Sequence, residues 1–219
     1  MAEVSLKRPV VIYFYGFPGA GKSYIAKNLE QLIPSALISD DKIRYELFEV
    51  PQFGEQENQI VNYVMDYMAE QFLRAGVSVI YDVNALRTSQ RRGLKSMASE
   101  HKAEHLLIWI QIDPESAFAR TQSRDRRRGE DKYATEETRQ SFEGQLSQMQ
   151  NPKNEDYLVI SGKHSFITQK SAVLNRLYQM GLIETGAVQS NIAKPGLINL
   201  VPTQSAGRVD LSRRNINIS

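Results

Sequence analysis

The chain has 219 residues, room for one elaborated domain or one domain with a tail. Hydrophobic residues make up 41% and charged residues 24%, a globular composition that supports a sizeable core and excludes wholesale disorder. Lys and Arg number 27 against 25 Asp and Glu, a net charge of +2, so non-specific coating of nucleic acid is excluded and any basic recognition must be local. The sequence has no cysteine and three histidines without clustered spacing, which removes disulfides, thiolate nucleophiles and a structural zinc site.

Residues 1–9 carry Glu3, Lys7 and Arg8 ahead of the apolar run Val10–Tyr15. That run is too short for a signal peptide or a membrane span, so a cytoplasmic protein without membrane contact is expected. Further short apolar runs follow at Ala36–Ile38, Val77–Tyr81, Leu106–Ile112 and Tyr157–Ile160. They are apolar on both faces, which predicts strands of a sheet covered on both sides. Between them, Lys22–Leu32, Ile60–Arg74, Ser89–His101, Pro114–Arg127, Thr135–Met149 and Thr168–Tyr178 have helix-compatible length and spacing. The alternation predicts an α/β fold, a three-layer sandwich with a five-stranded, mostly parallel sheet. Residues 1–184 form the predicted domain, and 185–219 a C-terminal extension rich in Gly, Ser, Asn and Pro whose role the sequence leaves open, either a surface-wrapping extension or an arm for dimerisation or substrate contact.

Gly16-Phe17-Pro18-Gly19-Ala20-Gly21-Lys22-Ser23 satisfies G-x-x-x-x-G-K-[ST] between the first strand and the first helix. Its backbone N–H groups form an anion nest at a helix N-terminus. Lys22 reaches the β and γ phosphates, and the Ser23 hydroxyl is the metal ligand for Mg2+. Gly16, Gly19, Ala20, Gly21, Lys22, Ser23 and the following Tyr24 are therefore the expected nucleotide contacts. The third strand ends Tyr81-Asp82-Val83-Asn84, without the glutamate that hydrolytic ATPases place after the metal-binding Asp. An Asn-Lys-x-Asp guanine element is also missing.

Phosphoryl transfer from ATP to a hydroxyl acceptor remains. It requires a base, cations over the moving phosphoryl group and a lid that excludes water. Asp41 and Arg44 follow the second strand and share a face of an incipient helix, a carboxylate to take the hydroxyl proton beside a guanidinium for the substrate. Asp40 stands as the alternative base. Arg120–Lys132 is dense in arginine and is the predicted lid, spanning about 120–134. Arg120 and Arg124 are four apart on a predicted helix, pointing to one side of it. Asp82 and Asn84 sit at a strand tip, where such sheets bind ligands. His101, His105 and Trp109 are expected to be core or surface residues without chemistry.

These residues resemble the phosphate-loop kinases of the polynucleotide 5'-hydroxyl kinase type, within the AAA-type and zeta-toxin-like superfamily. The resemblance covers roughly residues 9–162. It is carried by the phosphate loop, Asp41-x-x-Arg44, Asp82-x-Asn84 with Arg91-Arg92, Arg120-x-x-x-Arg124, and Phe142-Glu143 with Pro152 and Glu155. It implies that Lys22, Asp41 and Arg124 are catalytic, with Asp41 the base and Arg124 on the transferring phosphoryl group. It places Arg120 on the nucleotide, and Arg128 competes with Arg124 within the Arg126-Arg127-Arg128 run. Arg44, Asp82 and Asn84 become substrate contacts. The implied acceptor is a 5'-hydroxyl nucleic acid end, with sugars, antibiotics or aminoacyl groups as alternatives and an ATP-driven regulatory switch as the rival class. Oligomeric state is open, a homo-oligomer included.

Overall fold

In the computed structural model the described residues are 4–124, 133 and 137–184. The chain divides into two units, Met1–Val188 and Gln189–Ser219, and all described residues belong to the first. The 185–219 extension and Arg126, Arg127 and Arg128 lie outside the described residues.

Five strands, β1 Val10–Tyr15, β2 Ser35–Ser39, β3 Ser78–Asn84, β4 Glu104–Gln111 and β5 Tyr157–Ser161, make one sheet in the order β2-β3-β1-β4-β5. Every pairing is parallel. β1 is central and all six of its residues are buried, as its apolar run demands of a strand covered on both faces. The helices are α1 Lys22–Glu30, α2 Asp40–Leu47, α3 Glu55–Arg74, α4 Thr88–Glu100, α5 Pro114–Gln122, α6 Arg139–Gln148 and α7 Phe166–Gln179.

On one face of the sheet, Val11, Tyr13, Tyr15, Val79 and Tyr81 pack with Val61, Met65, Ala69 and Leu73 of α3 and Leu94 and Ala98 of α4. On the other, α1 buries Ile25, Ala26 and Leu29 and α7 buries Val173, Leu174 and Leu177; these two helices touch each other, β3 and β5. Apolar residues recurring every three to four positions produce both stripes. The α/β sandwich expected from the alternation is the fold observed.

Departures from the expected elements have local causes. Helix α2 has no apolar stripe, and its one buried residue is Arg44, so hydrophobic periodicity could not delimit it. α3 starts at Glu55 rather than Ile60, because its first turn is anchored by the buried carboxylate of Glu57 instead of an apolar side chain. α5 ends at Gln122, not Arg127: the Ser123 N–H closes the last turn on Ala119 O and the Ser123 hydroxyl donates to Arg120 O. α6 begins at Arg139 rather than Thr135, with Thr138 Oγ1 accepting from the Ser141 N–H at 3.1 Å, a side-chain cap that fixes the start.

One buried ion pair fixes the connections on the α4 side. Arg91, with no exposed side-chain surface, donates to both carboxylate oxygens of Glu155 at 2.8 and 2.7 Å. It also donates to Ala85 O and Leu86 O, and its guanidinium lies 5.2 Å from the Tyr15 ring centroid. It thereby ties the β3–α4 connection, which follows Asn84, to the segment entering β5. Glu155→Ala should strand this charge and lower stability by about 3 kcal/mol, read as a fall in Tm of roughly 6–12 °C. Arg139→Ala, which breaks the exposed pairs to Glu115 and Glu143, should cost under about 1 kcal/mol in the same unfolding experiment.

Candidate active site

The phosphate loop leaves β1 and enters α1. Gly21 is the N-cap of α1 at φ 104°, a left-handed conformation that glycine adopts without strain. Gly19 has φ 77°, and a Cβ there would lie 2.2 Å from Ala117 O, so the loop seats directly on α5. Lys22 Nζ donates to the carbonyls of Gly16 at 3.0 Å and Phe17 at 2.9 Å. Desolvation pulls its ammonium down to about 8, against the opposing field of Asp82 and with Arg124 adding to the fall.

Strand tips supply the facing groups. Ser39 of β2 pairs in register with Asp82 of β3, so α2 and its Asp40-Asp41 start beside Asp82. The Ser23 hydroxyl donates to Asp82 Oδ1 at 3.1 Å. Burial, reinforced by Asp40, pushes the Asp82 carboxyl up to about 6, while Ser23 and Lys22 hold it back. Asp40 Oδ1 accepts from the Asp41 N–H at 2.7 Å, and burial raises its carboxyl as well. Asp41 is pushed up to about 7 by burial, then by Asp40 and Asp82, and is drawn down by Arg124 and Arg44. Three carboxylates thus share one chamber with Lys22 and Arg124.

Ser23 and Asp82 are hydrogen-bonded, and Lys22, Asp41, Asp82 and Arg124 lie within one another's electrostatic reach. Arg44, expected as a substrate contact, has partners within the protein. It is buried and donates to Glu57 Oε1 at 2.6 Å and Asn58 Oδ1 at 2.8 Å, with Phe53 packed 4.9 Å from the guanidinium. Partial burial raises Glu57, but hydrogen bonds from Arg44 and from the Gln52 and Phe53 N–H groups leave its carboxyl below the ordinary value. Arg44 therefore clamps α2 to α3; a polar helix with no apolar stripe is held by an ion pair. Arg120 and Arg124 do not share a helix face, since α5 stops between them.

Arg120 donates to Gly162 O at 2.9 Å. With Gly19, Ala20, Gly21 and Tyr24 it faces Lys163 and His164 across a cavity of about 320 Å³. Lys163, bridged to Asp113 at 2.6 Å, and His164 were missed by the sequence reading. The rule that points to Asp82, polar residues just beyond a strand tip, would have found them after β5. Asn84 Oδ1 is buried without a hydrogen-bond partner. Trp109 sits between the Tyr15 and Tyr157 rings, 5.4 Å from each, and His101 Nδ1 lies 3.0 Å from Met97 O at the end of α4, both structural positions. Among the described residues no helix is long and apolar enough to cross a membrane.

The hard oxygen donors Ser23 Oγ and Asp82 Oδ1, side by side next to the phosphate loop, are of the kind that Mg2+ prefers. Among the described residues no group of three or more His, Cys, Asp or Glu is arranged to hold a metal alone.

A family model described as an AAA domain matches residues 11–151. No curated protein matches the chain significantly. Similar solved structures include Kti12 from Chaetomium thermophilum in complex with ADP-AlF3, at 16% identity and a TM-score of 0.59, covering 77% of this chain and 97% of that one. The APS kinase CysC of Mycobacterium tuberculosis in complex with AMPPNP and APS is similar at 18% identity and TM-score 0.56, covering 78% and 98%. A gluconokinase from Sinorhizobium meliloti 1021 is similar at 16% identity and TM-score 0.55, covering 80% and 95%. They share with this chain the α/β phosphate-loop fold, a parallel sheet with helices on both faces.

The raised carboxyls have a consequence for stability. A carboxyl at about 7 in the folded chain and about 3.9 when unfolded binds more protons folded than unfolded between those values. Folding stability contributed by Asp41 therefore falls as pH rises from about 4 to about 7. Asp41→Asn should flatten that decline and raise Tm by a few degrees at pH 8, at roughly 2–4 °C per kcal/mol, in ligand-free thermal unfolding.

Proposed function

The chain belongs to the AAA domain family, and from that membership and the chamber's chemistry we propose that it is an ATP-dependent phosphotransferase with a hydroxyl acceptor. The observation that carries this reading is Asp41: a carboxyl pushed up to about 7, in the same field as Lys22 and Arg124, and outside the loop that takes the nucleotide phosphates. A base poised near neutral pH is suited to accepting a hydroxyl proton as the oxygen attacks the γ-phosphorus.

The remaining groups fall into roles around it. The loop N–H groups of Gly16–Ser23 and the positive end of α1 hold the phosphates. Lys22 leaves the carbonyls of Gly16 and Phe17 for the β and γ oxygens, anionic partners that offset the desolvation of its ammonium. Ser23 and Asp82 would hold Mg2+, which neutralises charge on the phosphate oxygens when bound. Arg124 stabilises the transferring phosphoryl group, and Arg120, Tyr24, Lys163 and His164 surround the rest of the nucleotide. Asn84, with its buried unpartnered Oδ1, offers an acceptor to a substrate hydroxyl or amine.

The acceptor in this reading is a 5'-hydroxyl nucleic acid end, held through its terminal nucleotide alone, which needs few phosphate contacts. A small hydroxyl compound without phosphate is the second reading, favoured by one observation: Arg44, the cation expected to hold an acceptor phosphate, is engaged by Glu57 and Asn58.

Transfer of labelled γ-phosphate from ATP with Mg2+ to a 5'-hydroxyl oligonucleotide, beside a panel of sugars, nucleosides and amino alcohols, tests both. Label on the oligonucleotide is the expected outcome, and label on a panel compound alone selects the second reading. Phosphate release with no labelled acceptor would refute phosphotransfer in favour of an ATP-driven switch. Asp41→Asn should reduce transfer by about 10²–10⁴-fold with nucleotide affinity retained, whereas Lys22→Ala should weaken both.

A further inference from the structure

Nine large hydrophobic side chains stand exposed among the described residues, and six of them fall between Leu47 and Tyr67. Three lie on α3: Ile60, Tyr63 and Tyr67, at 47%, 74% and 56% exposure. The helix already buries its opposite stripe of Val61, Met65, Ala69 and Leu73 against the sheet, so this second apolar stripe has no role in the core. Isolated exposed apolar residues need no explanation, but a continuous stripe marks an interaction surface.

Its spacing identifies the partner. Gln56, Ile60, Tyr63, Tyr67, Glu70 and Arg74 follow intervals of four and three, the repeat that keeps one seam facing a second helix over about 30 Å, the length of α3. A seam pairing with its own copy must be self-complementary. Parallel alignment would set Glu70 on Glu70 and Arg74 on Arg74. Antiparallel alignment about a two-fold axis sets Tyr63 opposite Tyr67, Ile60 opposite Glu70, and Arg74 opposite Gln56 with Glu55 next to it. Aromatic rings then occupy the centre, and the basic end of each helix meets the acidic end of the other.

We propose that this face of α3 is the contact of a two-fold homodimer, α3 lying antiparallel on α3 of a second copy. Leu47 and Val50, on and just after α2, are exposed as well. Because Glu57 of α3 holds Arg44 of α2, the contact would brace the element that carries Asp41. The proposal rests on the α3 surface and is independent of the acceptor's identity.

The absence of cysteine makes the register directly testable on the full chain. Tyr63→Cys and Tyr67→Cys proteins, mixed and mildly oxidised, should yield a disulfide-linked dimer that neither variant yields efficiently alone. In sedimentation equilibrium the wild-type protein should approach twice its monomer mass as concentration rises. Tyr63→Glu combined with Tyr67→Glu should stay monomeric with the thermal unfolding transition of the dilute, monomeric wild type, while Val159→Glu, at an exposed apolar residue elsewhere, should dimerise like wild type. A wild-type protein monomeric at the highest concentration, a dimer that survives the double Glu change, or a dimer lost in Val159→Glu would overturn the proposal.

Discussion

Three carboxylates and a lysine gathered where water is scarce are costly in an unliganded protein. Desolvation is the largest cause of the shifts at Lys22, Asp40, Asp41 and Asp82; the lysine and the carboxylates partly compensate one another, while Asp40 and Asp82 add to the cost at Asp41, which Arg124 and Arg44 offset. No single member is stable there alone: Asp82 offsets the desolvation of Lys22, and Lys22 offsets that of Asp40 and Asp82. The cluster is a site built to receive charge from outside, since phosphates would satisfy Lys22 and a divalent cation would satisfy Asp82. The strain of assembling it is consistent with function rather than with stability.

The sheet order makes the cluster possible. β1 lies between β3 and β4; the helix that follows β1 covers one face and the helix that follows β3 covers the other. The chain therefore diverges above and below the sheet at the C-terminal ends of β1 and β3, opening a crevice at the point where such folds bind ligands. The phosphate loop, Asp82 and the start of α2 all emerge into that crevice. Buried pairs beside it hold the connections in place: Arg91 with Glu155 on the β3–α4 side, Arg44 with Glu57 on the α2–α3 side.

The apolar runs made the sheet legible, because a strand covered on both faces has few alternatives once crossover helices separate the runs. The phosphate loop was legible for a different reason, its glycines being required by close backbone approach and left-handed conformation. The partners of Arg44 were not legible, because a sequence shows Asp41-x-x-Arg44 on one helix face but not the Glu57 carboxylate that packs against it from α3. Arg120 and Arg124 were misread: helical spacing was assumed past Ser123, whose hydroxyl and N–H close α5. Lys163 and His164 lay beyond a strand tip and carried a signal that was passed over. Charge pairing between elements is set by tertiary packing, which periodicity does not encode.

The account depends on Asp41 carrying a proton-accepting carboxyl displaced far from that of an ordinary aspartate. Carbon-13 NMR titration of the aspartate carboxyls in the ligand-free protein, compared with Asp41→Asn, measures this directly. The account predicts a carboxyl resonance titrating near pH 7 that is missing from the variant spectrum. If the resonance that disappears in Asp41→Asn instead titrates near pH 4, Asp41 is an ordinary solvated carboxylate and the chamber described here is not the basis of the protein's chemistry.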